Sequence, residues 1–303
     1  MKREVAEDEA GMVLVNVLLL VGLAAAVLAI MVAGDDAGLQ RATRMAEAAQ
    51  AQAIARAGEL SVIAALRRDM VDAPDSDDAT EPWANIGEQG APIEGGSFAL
   101  AVSDATGKLD LNVLVRPDPV TRARLGTLAG AVGIGPGTVE RIATYLGKTG
   151  PIADLAELSG AGLTPDEIAR LAPFATALPV RAAINLNAVS EPLLALLVDD
   201  PAAARMLIAR RLRNGRLTIQ DFSLEHVAIP VGTGFVSPLY WSVSRATIGT
   251  TAQTLTSLIE RRLVDGKVRQ VTAITRWQGR PPVQAPALPE DRKVRGSGEA
   301  SKA

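Results

Sequence analysis

Residues 12–33 read MVLVNVLLLVGLAAAVLAIMVA, and this stretch decides the class of the protein. It contains no charged side chain and one polar amide, that of Asn16. As a helix it would be about 33 Å long, enough to cross a hydrocarbon core of about 30 Å. Asp35 and Asp36 follow it and mark the end that lies in water. We therefore predict a transmembrane helix, because a helix in the core of a soluble domain would need a polar face.

A short polar leader precedes the apolar stretch. Residues 1–11 read MKREVAEDEAG, and the apolar helix begins at the next residue. The junction between Gly11 and Met12 resembles the processing site of type IV prepilins, in which a prepilin peptidase cuts after the glycine and methylates the new N-terminus. The resemblance implies a mature chain that starts at Met12, is methylated there and keeps its anchor. A cleaved secretory signal is the alternative, but its apolar region would cover only about 7–15 residues.

Two features of this segment depart from the usual prepilin pattern. The leader holds four acidic residues against Lys2 and Arg3, whereas prepilin leaders are usually basic. The fifth position of the mature chain is Asn16, whereas most pilins and pseudopilins carry glutamate there. One minor class of pseudopilins usually lacks that glutamate, so Asn16 narrows the comparison to that class.

The helical pattern continues beyond the membrane to residue 72. Apolar, mostly small residues recur there at steps of three or four, with polar residues between them: Leu39, Ala42, Ala46, Ala49, Ala53, Ala57, Leu60 and Ala64. Small side chains permit close approach, so we predict that this stripe packs against a sheet or against neighbouring subunits. The sequence Asp-Ala-Pro at 72–74 ends the helix, which gives a rod of about 90 Å.

Alternating apolar residues predict an antiparallel sheet in two parts. Residues 73–95 are rich in Asp, Pro, Gly and Glu and are interpreted as a loop. Residues 96–104 and 108–112 are predicted to form two strands of a hairpin, joined by the turn at 105–107. Three more β-rich stretches follow near the C-terminus, at 239–248, 252–260 and 268–277. The material between residues 115 and 230 reads as mostly helical.

The first motif of the predicted hairpin resembles a known family. GGSF at 95–98 precedes DATGKLDLNVL at 104–114. This run is similar to the D-x-x-G-K-x-N-L-N-x-L run of the minor pseudopilin K family of the bacterial type II secretion system. Asp110 stands where that family more often has asparagine. Members of this class also commonly lack glutamate at the fifth mature position, which agrees with Asn16.

Two later motifs extend the resemblance over most of the chain. INLNAV at 184–189 resembles the I-N-x-N-T-A segment of the same family, with Val189 departing at its last place. Arg210 with TIQDF at 218–222 resembles a later stretch of that family. The likeness runs from Gly11 to about residue 278.

The resemblance implies an α+β, type IV pilin-like fold, in which a long N-terminal helix packs on an antiparallel sheet and a large all-helical insertion separates the strands. It divides the chain into a prepilin leader (1–11), the transmembrane part (12–33) and periplasmic part (34–72) of the helix, a pseudopilin α/β domain (73–114 and 231–278) and the helical insertion (115–230). Residues 279–303 are rich in Pro, Gly and charged residues, which predicts a disordered tail.

The same resemblance implies a function in protein export and no enzymatic activity. A minor pseudopilin of this kind would be a structural subunit at the tip of the periplasmic pseudopilus, together with the I-type and J-type minor pseudopilins, helping to initiate and cap the fibre. It would be a single-pass inner-membrane protein with its C-terminal domain in the periplasm. Its other partners would be the prepilin peptidase and the inner-membrane secretion platform.

Another motif in the insertion suggests an alternative function. VGIGPGTVERI at 132–142 resembles a helix-hairpin-helix, whose backbone amides bind nucleic-acid phosphates, and LSGAGLTPDEI at 158–168 is a weaker second copy. Binding to DNA also needs cations near the phosphates, but residues 117–200 hold six Arg and Lys against nine Asp and Glu. We therefore interpret the hairpins as packing motifs and expect no nucleic acid. A DNA-binding uptake protein and a type IV pilus minor pilin remain the alternatives.

The residue inventory argues against a catalytic site. The chain has no cysteine and a single histidine, His226, which excludes thiolate chemistry and multi-histidine metal sites. We expect no cofactor. Acidic runs such as Asp75-Asp77-Asp78 and Asp199-Asp200 could bind calcium through their carboxylate oxygens. They lack the spacing of a calcium loop and are interpreted as solvated turns.

The Gly11–Met12 junction generates a direct prediction. In cells that contain prepilin peptidase, we expect the mature chain to begin at a methylated Met12 and to retain residues 12–33. Mass spectrometry of the N-terminal peptide measures this. A start after Ala33, or an uncut leader, would contradict it.

Overall fold

The computed structural model describes residues 4–265 and 268–288, with side chains from residue 15 onward. The chain divides into two compact units, residues 1–50 and residues 51–303. In chain order the helices are α1 (Glu4–Asp72), α2 (Pro119–Ala131), α3 (Thr138–Thr149), α4 (Pro165–Leu171), α5 (Glu191–Val198), α6 (Pro201–Asn214) and α7 (Ile219–Leu224). The strands are β1 (Glu88–Ile93), β2 (Gly96–Asp104), β3 (Leu109–Asp110), β4 (Ala175–Thr176), β5 (Ile184–Asn185), β6 (Thr233–Gly234), β7 (Leu239–Ile248), β8 (Thr251–Val264) and β9 (Val268–Gln278).

The first unit is helical from residue 4 to residue 50. Among the residues with described side chains, helix α1 contains an 18-residue window with a mean hydropathy of 2.8, none of which is buried. Its length and composition are compatible with a membrane anchor. Gly11 and Met12 lie in the same helix, but their side chains are outside the described part.

The second unit is built on a five-stranded sheet with the order β1-β2-β7-β8-β9, in which every neighbouring pair is antiparallel. Strand β2 pairs with β7 from Gly96 opposite Ile248 to Asp104 opposite Tyr240. The insertion therefore leaves the sheet at the end of one strand and returns at the start of its neighbour. The fold class predicted from the sequence, an α+β pilin-like fold with a helical insertion, is confirmed.

The predicted hairpin of residues 96–104 and 108–112 is wrong. Strand β2 pairs instead with β1, which lies in the segment interpreted as a loop, and residues 109–110 pair with β4 in the insertion. The side chain of Asp104 explains the difference, because it accepts hydrogen bonds from the backbone N–H and the hydroxyl of Thr106, both at 2.7 Å. This turn directs the chain away from β2, so no hairpin forms.

Residues 51–72 of α1 pack on one face of the sheet. The buried face of this segment includes Ala51, Ala55, Val62 and Leu66. Gly58 allows the close approach, since a Cβ there would lie 2.8 Å from the ring of Phe98. The helix is thus fitted to the sheet by small residues as well as by large apolar ones.

The insertion has its own apolar core. Its largest fully buried side chain is that of Phe222 in α7, and leucines and an isoleucine from several helices and turns lie in the same core: Leu125, Ile142, Leu146, Leu155 and Leu171. The prediction of an all-helical insertion needs one correction, because two short parallel pairs, β3 with β4 and β5 with β6, tie it to the segments that flank it. Backbone groups at its base are therefore satisfied by strand pairing.

The segment that follows β9 is packed on the domain. Gln284 is buried, and its side-chain oxygen accepts a backbone hydrogen bond from the insertion at 3.0 Å. Leu288 is also buried, in an apolar cluster with residues of β2 and β7. The prediction of a disordered tail over 279–303 is therefore wrong for residues 279–288, and residues 289–303 lie outside the described part.

The packing of α1 predicts opposite outcomes for one substitution at two sites. Leu66 is fully buried, and Leu60 is 56% exposed on the same helix. We expect Leu66→Ala to lower the free energy of unfolding by about 2–5 kcal/mol, through lost burial and a cavity. Leu60→Ala should change it by less than about 0.5 kcal/mol. Urea unfolding of the full chain in detergent, followed by tryptophan fluorescence, measures both, and equal losses would contradict this packing.

Candidate functional site

The alanine stripe of α1 is uncovered. In the second unit, Ala53, Ala57, Leu60 and Ala64 are all exposed, and the period of the helix puts them opposite the face that packs on the sheet. The sheet is therefore not the partner of this stripe. Contact with other subunits stays a prediction for these positions.

The predicted site residues of the first unit are exposed as well, wherever their side chains are described. These are Asn16, Leu39, Ala42, Ala46 and Ala49, with Leu39 68% exposed. Within residues 15–50, this part of the chain offers a solvent-facing or lipid-facing helix surface.

The motif at 104–114 forms the joint between the sheet and the insertion. Besides its bonds to Thr106, Asp104 accepts a hydrogen bond from the hydroxyl of Ser237 at 2.8 Å and one from the amide of Asn185 at 2.7 Å. Burial raises the pKa of Asp104, and these hydrogen bonds oppose that effect. The start and the end of the insertion are thus fastened to one carboxyl group.

The glycine of this motif is required by a close backbone contact. A Cβ at Gly107 would lie 2.6 Å from the carbonyl oxygen of Ala188, in the motif at 184–189. Two motifs that are far apart in the sequence therefore meet here. This contact accounts for a glycine at that position without any ligand.

Three asparagines of the motifs hold loops together. Asn112 donates to the carbonyl oxygens of Ile152 and Leu178, both at 2.9 Å, and accepts from the N–H of Ile152. Asn187 exchanges hydrogen bonds with the backbone of Leu217. Asn185 donates to the carbonyl oxygen of Asp77 as well as to the joint. Each amide replaces backbone pairing that the loops lack.

The charged residues of the motif are held inward. Lys108 donates to the carbonyl oxygens of Ala172 and Gln284, and burial lowers its pKa to about 8. Asp110 accepts from the N–H groups of Asn112 and Leu178, and burial raises its pKa to about 6. They bind backbone groups of this chain, so the motif that resembles the K family is a structural joint.

The later motif is built on an ion pair. Arg210 of α6 donates two hydrogen bonds to Glu225, at 2.7 and 3.0 Å, and lies 3.9 Å from Asp221. Asp221 also accepts from the N–H and hydroxyl of Thr218 at the start of α7. The arginine therefore fixes α7 against α6.

A second buried cluster lies where α1 ends on the sheet. Arg261 of β8 donates to Asp69 of α1 and to both carboxylate oxygens of Asp77. Asp77 also accepts from the hydroxyl of Tyr240 and from the N–H of Ser237, each at 2.6 Å. This cluster ties the helix, the segment after it and two strands together.

Glu81 adds a third carboxyl group to this cluster. Its Oε2 accepts from the indole N–H of Trp83 at 2.6 Å, while its buried Oε1 has no hydrogen-bond partner among the described residues. Carboxyl oxygens of Asp69, Asp77 and Glu81 lie within 4.8 Å of one another. Because Arg261 already neutralises two of them, we assign no metal ion to the cluster.

The solvated turn predicted for Asp75-Asp77-Asp78 is wrong for two of its three residues. Asp77 and Asp78 are buried, and Asp78 accepts hydrogen bonds from the backbone and hydroxyl of Thr80. The other run behaves as predicted, since Asp199 and Asp200 are exposed and Asp200 caps the N-terminus of α6. Both runs are explained by local structure.

Sequence reasoning missed the cluster because its members look ordinary. Asp69 reads as one more charge on a polar helix, and Arg261 as a charge in a strand that faces water on one side. Asp77, which accepts hydrogen bonds from Arg261, lies 184 positions before it in the sequence. The one usable signal was the helical period, which puts Asp69 on the same face as Val62 and Leu66.

Arginine side chains hold the two helix-hairpin-helix motifs together. Arg170 of α4 donates to the carbonyl oxygens of Val132 and Gly133 in the first hairpin turn, both at 2.8 Å. In return, Arg141 of α3 donates to the carbonyl oxygen of Ala161 in the second turn. These two cations bind backbone oxygens, which makes them poorer partners for phosphate and supports a packing role.

Comparison with known proteins finds a curated relative of similar length. No protein-family model matches the chain. Type II secretion system protein K of Pseudomonas aeruginosa is 29% identical over an alignment 318 positions long, which covers 90% of this chain and 94% of that protein.

A solved structure shares the fold. One chain of the crystal structure of the GspK-GspI-GspJ complex from the enterotoxigenic Escherichia coli type 2 secretion system matches with a TM-score of 0.61 and 20% identity. The match covers 80% of this chain and 100% of that chain. Together, the two comparisons confirm the resemblance to the minor pseudopilin K family.

The arginine at the centre of the buried cluster predicts a large effect on stability. We expect Arg261→Met to lower the free energy of unfolding by about 3–5 kcal/mol, because Asp69 and Asp77 would be left as buried charges without their partner. Arg262→Met, at the exposed neighbouring position, should cost less than about 0.5 kcal/mol. Urea unfolding measures both, and similar losses would show that the cluster contributes little.

Proposed function

We propose that this chain is a minor pseudopilin of a type II secretion system and that it occupies the tip of the pseudopilus. There it would help to initiate and cap the fibre together with an I-type and a J-type minor pseudopilin. The observation that carries the proposal is the position of the insertion on the sheet. The similarity to protein K supports the class of protein.

The insertion lies at one end of the sheet, and the N-terminal part of the packed helix lies at the other. Ala51 packs with Ala246 and Ile248 at the end of β7. Asp69 is bound to Arg261, whose N–H donates to Pro238 just before β7 begins. The insertion joins the sheet at this second end. In a fibre in which the end of the domain that holds Ala51 faces the membrane, the insertion would lie at the far end of the domain, where it would block further stacking.

The uncovered stripe of α1 supports lateral contact with the companion subunits. Small side chains at Ala53, Ala57 and Ala64 permit helices to approach closely, and the sheet packs on the opposite face. An exposed apolar surface of this kind marks an interaction site. We infer that the helices of the two companion pseudopilins pack along it.

The anchor fits the same role. Processing by prepilin peptidase after Gly11 would leave a methylated Met12 and a single inner-membrane span, with residues from 34 onward in the periplasm. The span would let the inner-membrane secretion platform recruit the chain. In a fibre, an internal glutamate can pair with the N-terminal amine of a neighbour, since an isolated charge in the membrane is strongly disfavoured. A tip subunit has no neighbour above it, which is a physical reason for Asn16.

The proposal is tested by assembly. Full-length chain, co-expressed with the I-type and J-type pseudopilins of the same system and purified in detergent, should co-purify as a ternary complex. Ala57→Glu should abolish the complex, because a charge would enter the helix interface, while leaving the unfolding midpoint unchanged. The same substitution at Ala123, an exposed position of the insertion, is the control and should have no effect on assembly.

The DNA-binding alternative is tested on the same preparation. In a low-salt gel shift, we expect this chain to bind duplex DNA no better than a neutral control protein does. Tight, salt-sensitive binding without a ternary complex would contradict the pseudopilin proposal and support the hairpins as a DNA-binding site.

A further inference from the structure

We propose that the buried carboxyl cluster of Asp69, Asp77 and Glu81 around Arg261 is a proton-operated joint. A proton held on Glu81 keeps the C-terminal end of α1 and the segment 73–87 on the sheet, and loss of that proton weakens the attachment. The inference concerns the folded domain and does not rest on the proposed function.

The charges in the cluster do not balance when every carboxyl group is ionised. Arg261 of β8 is the one cation that the described structure places in contact with it, and it already binds Asp69 and Asp77. Glu81 then faces these two carboxylates and that of Asp78, which lies three residues before it. A buried carboxylate among like charges favours its protonated form.

The hydrogen-bond geometry identifies Glu81 as the group that holds the proton. One of its oxygens accepts from Trp83, and the other is buried without a hydrogen-bond partner among the described residues, in a residue that is 7% exposed. As an ionised oxygen it would stay buried without a donor among the described residues. As a hydroxyl it would carry no charge, which removes the cost of an unpaired buried carboxylate beside Asp69 and Asp77, whose carboxyl oxygens lie within 4.8 Å.

The remaining neighbours of the cluster do not supply the missing charge. Tyr240 of β7 donates its hydroxyl to Asp77, and its ring lies beneath the guanidinium of Arg261, 5.2 Å from ring centroid to Cζ. Its own pKa is raised well above the usual value, mainly by burial and then by Asp77. Tyr240 therefore stays neutral in the pH range in which Glu81 titrates.

The direction of the pH effect follows from these surroundings. Burial raises the pKa of Glu81 from 4.5 to about 7, with Asp69, Asp77 and Asp78 adding to the rise and the bond from Trp83 opposing it. Burial likewise raises the pKa of Asp69 to about 6. A group whose pKa is raised on folding contributes its full stabilisation below about pH 4.5 and loses it as the pH rises to about 7. The C-terminal end of α1 and residues 73–87 are thus held firmly on the sheet in mild acid and less firmly above neutral pH.

Hydrogen exchange of the full chain in detergent tests the joint. After correction for the intrinsic pH dependence of exchange, protection of amides at 69–87 should fall about tenfold between pH 6 and pH 8. Amides at 138–171 in the insertion serve as the internal reference and should change little. In Glu81→Gln the fall should shrink to about twofold or less, because the side-chain amide carries no charge at any pH and only Asp69, whose pKa is about 6, still titrates. Glu94→Gln, at an exposed turn, should behave as the wild type.

A second variant distinguishes titration of Glu81 from simple disruption. Trp83→Phe removes the hydrogen bond that favours the ionised carboxylate, so the loss of protection should move to higher pH. If Glu81→Gln and the wild type lose protection equally, or if the insertion loses as much as 69–87, the proposal is overturned. A transition in Trp83→Phe that moves to lower pH would also overturn it.

Discussion

The structure depends on the pairing of two buried carboxylates of α1 with arginines of the sheet. Glu59 is buried and accepts hydrogen bonds from Ser257 of β8 and Arg276 of β9. Burial alone would raise the pKa of Glu59, but these partners outweigh it and lower the pKa. Asp69 meets Arg261 nearly three turns further along the helix. Because a buried charge without its partner is costly, sliding the helix by one turn would break both pairs, and this fixes the helix on the sheet.

Much of the fold could be predicted from one-dimensional periodicity. The apolar run, the long helix and the three C-terminal strands follow from apolar residues at fixed spacing, and they lie within a few residues of the predicted limits. The pairing of the strands was harder to predict, since it depends on the direction in which each turn sends the chain. The side-chain bonds of Asp104 redirect the chain, and β1 lies in a segment whose Gly and Pro content suggested a loop. The buried segment around Gln284 looked disordered for the same compositional reason.

The functional surface was predictable in part. The small residues of α1 are visible in the sequence, but alanine is equally suited to a sheet and to a neighbouring helix, so composition could not tell which face is covered. Charged residues on the covered face, Glu59 and Asp69, obscured it further. The partners of these charges come from strands nearly two hundred positions away. A single sequence carries no record of such distant pairing. The motifs at 104–114 and 184–189, which connect the sheet to the insertion, are continuous in the sequence and could be identified.

The attachment of the insertion has a consequence for the order of folding. Asp104 and Ser237 are hydrogen-bonded although 133 positions separate them, so β2 and β7 can zip together only after a very long loop has closed. Loop closure of that length is entropically costly and slow in an unstructured chain. An insertion that first collapses on its own leucine core brings the two ends together and shortens the effective loop. The insertion would then fold first, and the sheet would form around the ends that it has brought together.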